Sequence, residues 1–131
     1  MEVVIAVGIM VISISASAGM LLATERAAGE TLTEAQAISL AEEGISASIS
    51  IRDRDWNSLA VGVHGLAVQP SPLEWVFQGS SDAANGFTRT VTVTDVNANM
   101  RKVVSSVAWT SGIGRTAIVE EQILLTNWAS L

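Results

Sequence analysis

Residues 3–23 read Val3-Val4-Ile5-Ala6-Val7-Gly8-Ile9-Met10-Val11-Ile12-Ser13-Ile14-Ser15-Ala16-Ser17-Ala18-Gly19-Met20-Leu21-Leu22-Ala23, with no charged side chain between Glu2 and the pair Glu25-Arg26. An α-helix rises about 1.5 Å per residue, so about 20 apolar residues cross a hydrocarbon core of roughly 30 Å. The stretch has that length. A secretory signal peptide is a poor account of it. The basic leading part is missing, an acid stands at position 2, and the apolar run exceeds the usual ~7–15 residues. The stretch is also long for the buried helix of a soluble domain. It predicts a membrane-competent helix. Lys and Arg are nearly absent on its flanks, so charge does not set its orientation.

Moving outward, residues 24–51 contain no Pro and are rich in Ala, Glu, Leu and Ile. Ala28, Leu32, Ala35, Ile38, Ala41, Ile45 and Ile49 step by three or four residues, one apolar stripe at helical period. Gly29 and Gly44 each weaken such a helix by about 1 kcal/mol without ending it. The prediction is one helix over 1–52, with residues 1–23 apolar all round and 24–52 amphipathic. Ser13, Ser15, Ser17 and Gly19 are poor helix formers close together, and a local break between Ser13 and Gly19 is expected.

The pattern changes at Arg52-Asp53-Arg54-Asp55. Short apolar pieces at 59–63 and 66–68 precede a loop, Gln69-Pro70-Ser71-Pro72, and a short strand at 74–78. Asn85-Gly86 is a hairpin turn signal. Residues 87–96 (FTRTVTVTDV) alternate, with Arg89 a charge on the apolar side. Residues 101–110 and a long strand within 115–128 follow, divided by turns at 95–99 and 111–114. Thr- and Val-rich segments joined by short turns predict an antiparallel meander. A sheet with one buried face needs a cover, and the stripe over 28–49 supplies it. The expected fold is therefore α+β: a long N-terminal helix packed on a small antiparallel sheet over 53–131. Its helix–sheet core is expected at Leu32, Ile38, Ile45, Ile49 and Trp109, with Trp56 also in the core.

The 131 residues are 49% hydrophobic and only 15% charged, against about 25% in soluble domains. The deficit is local, in residues 3–23. With no Cys there is no disulfide, thiolate metal site or cysteine nucleophile. Seven basic against thirteen acidic residues, net charge -6, argue against nucleic acid as the main partner. His64 is the only histidine and no nucleophile-elbow motif accompanies it, so no enzyme is expected. Gly62-x-x-Gly65 and Gly112-x-Gly114 lack the Lys and the strand-to-helix setting of a phosphate loop and read as turns. Asp82, Asn85, Asp95, Asn97 and Asn99 offer oxygens of the kind calcium takes. They lack EF-hand spacing, and Asx-rich turns form without metal, so no cofactor is expected. No Asn-x-Ser/Thr sequon is present.

Glu2-Val3-Val4-Ile5-Ala6, opening a long apolar helix, resembles the start of type IV pilins, whose pattern runs close to F-T-L-I-E-V-V-I-A. A long helix followed by a small antiparallel sheet is also the pilin architecture. The stretch from Glu43-Gly44-Ile45 to Ile51-Arg52-Asp53-Arg54-Asp55-Trp56 and the ending Leu125-Thr126-Asn127-Trp128 are similar to Cys-free bacterial pilins. The resemblance implies a filament subunit. Glu2 would pair with the N-terminal amine of a neighbour, and Val3, Val4, Ile5, Val7, Ile9, Val11 and Ile12 would pack in the filament core. The partners implied are further copies of the chain, the pilus assembly machinery, and the inner membrane, which holds a single-pass precursor before the filament reaches the cell surface. There are two departures. The acid is fifth in the family's mature chain and second here, without the preceding Gly or basic leader, which leaves the mature N-terminus and its methylation open. Many members carry Pro where this chain has Gly19. Two alternatives have a related design: a pseudopilin of type II secretion, a group with a calcium site in a comparable loop region, and a single-pass anchored binding domain that does not polymerise. Adhesion, motility and DNA uptake are not distinguished.

Overall fold

The computed structural model describes residues 2–130, leaving aside the side chains at 8, 11, 12, 13, 16 and 130. Helix α1, Glu2–Arg54, is continuous, and the chain divides within it into two compact units, Met1–Thr33 and Glu34–Leu131. The predicted break is not there: helical backbone runs through Ser13, Ser15, Ser17 and Gly19. Ser and Gly lower helix propensity, but unlike Pro they keep the N–H that bonds four residues back. The helix also absorbs hydroxyls. Thr24, Thr31 and Thr33 donate to the Met20, Ala27 and Gly29 carbonyls at 2.9–3.0 Å. In the first unit the described side chains are exposed, except half-buried Thr33.

The second unit is α+β, with residues 34–54 of α1 on an antiparallel sheet. The strands are β1 (Gly62–His64), β2 (Leu66–Pro70), β3 (Leu73–Phe77), β4 (Asp82–Ala84), β5 (Phe87–Asn97), β6 (Met100–Thr110) and β7 (Thr116–Thr126). The main sheet runs β1-β5-β6-β7, and β4 joins β1 along the same side of β5. Strands β5, β6 and β7 form the expected meander. Strands β2 and β3 make a separate hairpin. Gln69 and Pro70 lie in β2 rather than in a loop, which shortens the turn to Ser71-Pro72; Pro70 ends its strand, where a missing donor does little harm. The Asn85-Gly86 turn has positive φ at both residues (52° and 84°), as a tight hairpin between β4 and β5 requires.

Helix α1 runs to Arg54, two residues past the expected end at 52. Arg52 and Arg54 occupy its last turn, where cations favour the helix dipole. Asp55 then caps a 3-10 turn, Trp56–Ser58, accepting from the Asn57 N–H at 3.0 Å and the Ser58 hydroxyl at 3.1 Å. Arg54 reaches Glu74 at 2.6 Å and ties the β2–β3 hairpin to the helix end.

The helix face on the sheet overlaps the predicted stripe only in part. Ala37, Ala41, Gly44, Ala47, Ser48 and Ile51 are buried. Of the expected core residues, Ile45 and Ile49 are half-buried and pack against the larger apolar cluster, Ile38 is half-buried, and Leu32 is 67% exposed. The packed part of the helix thus begins near Ala37 and not at 24. The reason is close approach. A Cβ on Gly44 would collide with Ser105 Oγ and lie 3.0 Å from Ser105 Cβ, so only small side chains fit the centre of the contact. Two apolar clusters lie along this seam. Ala47, Ile51, Leu59, Leu66, Val91, Val93, Val103 and Leu125 form one, with Trp56 packed against it. Ala37, Ala41, Phe87 and Val107 form the other, with Trp109 against it, its ring 5.8 Å from Phe87 and tilted by 57°.

Candidate functional site

Among the described residues, α1 in the first unit carries a run of exposed large apolar side chains. Val3 is 76% exposed, and Val4, Ile5, Val7, Ile9, Met10, Ile14, Met20, Leu21 and Leu22 are all more than half exposed. A helix that is apolar all round is normally buried, and a contiguous apolar surface of this kind marks an interaction site. Glu2 sits in the first turn, where a negative charge is favourable. Val11, Ile12 and Ser13, also named from the sequence, have side chains outside the described residues. Among the described residues, no helix is long and apolar enough to cross a membrane. The side chains at 8, 11, 12, 13 and 16, all within the uncharged run, are not among them.

A polar belt separates the two clusters of the second unit. Arg89, on the inner face of β5, is buried and pairs with Glu43 of α1 and Asp82 of β4, both at 2.8 Å, and donates to the Leu40 carbonyl at 3.2 Å. Asp82 also accepts from the Leu66 N–H at 2.9 Å. Burial alone disfavours the guanidinium charge, but the hydrogen bonds and charges of Asp82 and Glu43 outweigh it and hold the Arg89 pKa above its ordinary value. A raised pKa gives stability that is lost only as pH climbs through the guanidinium range, so this group sets no titration near neutrality. Arg89 thus explains the charge on the apolar side of its strand. It fastens helix, β4 and β5 together.

Arg101 does comparable work at the other end. It pairs with Asp95 at 2.8 Å, donates to the Trp56 and Leu59 carbonyls at 3.0 and 2.6 Å, and lies 4.6 Å from the Trp56 ring centroid. Sequence reading had no signal for that latch, because its partners are carbonyls of a turn more than forty residues away.

The remaining candidates have structural work. His64 stacks on Phe77 at 4.4 Å, with Nε2 2.8 Å from the Ala60 carbonyl. Three of the residues considered for calcium are engaged within the chain. Asp82 faces Arg89, Asp95 faces Arg101, and Asn97 accepts from the Asn99 N–H at 2.9 Å. Among the described residues no cluster of three His, Cys, Asp or Glu suits a metal ion. The chain matches no protein-family model, no curated protein and no solved structure.

Proposed function

We propose that the chain is a structural subunit, pilin-like in design, which assembles with further copies of itself through the apolar surface of α1. The observation that supports this is one continuous helix, Glu2–Arg54, whose residues 3–23 carry no charge and whose described large apolar side chains there are exposed. Covering a Val, Leu or Ile side chain fully is worth about 1.5–3 kcal/mol, so a bundle of such helices has ample driving force. Ala, Ser and Gly at 6, 15, 17, 18, 19 and 23 let helix backbones approach closely. Repeated head to tail with a rotation that does not close, such packing builds a filament. Until assembly, the same surface requires another apolar surrounding, which a lipid bilayer supplies. Glu2 is the group that sets register, by pairing with a cation of a neighbouring subunit.

Electron microscopy of material sheared from cells making the chain tests this reading. Long filaments containing only this chain are expected, and Glu2→Lys should abolish them while the sheet keeps its thermal transition. Normal filaments from Glu2→Lys would remove the pairing role. A chain retained in membranes, with no filaments or only short ones, would favour an anchored domain or a pseudopilin.

A further inference from the structure

Strand β7 ends the five-stranded sheet. It pairs with β6, and its other edge faces no described strand. The Ser111 N–H donates to the Arg115 carbonyl at 2.7 Å, and the Asn127 N–H donates to the Asn99 carbonyl at 2.9 Å. Odd-numbered residues therefore turn their backbone groups toward β6. By alternation, Thr116, Ile118, Glu120, Gln122 and Leu124 turn theirs to the open edge. Such a row is a template for another strand, and proteins usually blunt it with Lys, Pro or a bulge. Residues 116–126 contain neither Pro nor Lys and register with β6 without a shift. The only charges are Glu120 and Glu121, in the middle.

Those charges select the occupant. Glu121 is half-buried on the helix-covered face, directly across from Ser105, whose buried hydroxyl has no hydrogen-bond partner. Arg115 is exposed just before the strand. Neither Arg115 nor Glu121 is in an ion pair with a described residue. Two β7 strands paired antiparallel about Glu120 or Glu121 would set carboxylate against carboxylate. Paired about Ile118, they set Arg115 of each copy opposite Glu121 of the other. Thr116 then faces Glu120, Ala117 faces Val119, and Ile118 meets its own copy. The Arg115–Glu121 positions fall at non-hydrogen-bonded pairs, where side chains lie closest, about 4.5 Å between Cα atoms.

We propose that the open edge of β7 is a self-recognition edge. A second copy adds there antiparallel, in the register centred on Ile118, locked by two Arg115–Glu121 ion pairs. The contact is two-fold and closes on itself, so it joins two subunits or two filaments side by side and does not lengthen a filament. It does not depend on the helix-driven assembly proposed above.

The chain has no Cys, which permits a direct test in the full chain held in detergent. Under mild oxidation Ile118→Cys should give a disulfide-linked dimer, since strand-paired Cα atoms fall within the roughly 4.4–6.8 Å that a disulfide spans. Leu124→Cys, on the same edge and comparably exposed (56% against 59%), should stay monomeric because this register places it away from its own copy. Adding Arg115→Glu to Ile118→Cys should lower the dimer yield about tenfold, as two attractive pairs become repulsive. Equal cross-linking by Leu124→Cys, or a dimer yield unchanged by Arg115→Glu, would overturn the proposal.

Discussion

Helix α1 runs through two regions that use side-chain size in opposite ways. Over residues 34–54 the buried positions are Ala37, Ala41, Gly44, Ala47, Ser48 and Ile51, mostly small residues. Over residues 2–23 the described side chains include many large apolar ones, yet they are exposed. Against a pleated sheet, the residue that can come close is buried, whatever its hydrophobicity. Leu32 and Ile51 make the contrast concrete: both are large aliphatics on one helix, 67% and 1% exposed. The second region has found its partner within the chain. The described large apolar side chains of the first stay exposed within its own unit.

Substitutions can break or sharpen this contrast. The largest effect on the second region is expected from Arg89→Ala, which strands Asp82 and the Leu40 carbonyl; thermal or denaturant unfolding should show a loss of about 3–5 kcal/mol. Ile51→Ala empties the centre of the larger cluster and should cost about 2–4 kcal/mol in the same assay. Gly44→Ala raises intrinsic helix propensity by about 1 kcal/mol but drives a methyl into Ser105, and a net loss of about 1–3 kcal/mol is expected. Adding Ser105→Ala removes the colliding Oγ and should recover part of that loss. If Gly44→Ala instead stabilised the protein, close approach would not be the rule governing this face. The smallest effect is expected from Leu32→Ala, within about 0.5 kcal/mol. A large destabilisation there would mean that the exposed region also holds the fold together.

Much of the architecture was legible. The uncharged run, the lack of Pro through residue 51 and the Asn85-Gly86 turn sufficed for a long helix followed by an antiparallel meander. Periodicity also marked residues 28–49 as a covering helix, but its stripe meets the buried face only in part: Ala41 is buried, and Ile45 and Ile49 pack against the larger cluster. Ala28, Leu32 and Ala35 lie exposed, while Gly44 and Ser48 lie buried. A hydrophobic stripe reports which face is apolar, not how near the sheet will come. The candidate surface at residues 3–23 was read directly from composition. The Arg89 and Arg101 fastenings were not, because they join residues far apart in the chain. Arg89 left one trace, a charge that interrupts the alternation of β5.

The sequence by itself determined the long helix, the three-strand meander and the bare apolar segment, because each follows from local periodicity, turn chemistry or the absence of charge. Only the tertiary structure decided which helix face is buried, how Arg89 is neutralised and which edge of the sheet stays open. Those outcomes depend on distances between elements remote in sequence, where the size of a side chain and the position of a counter-charge outweigh local preference.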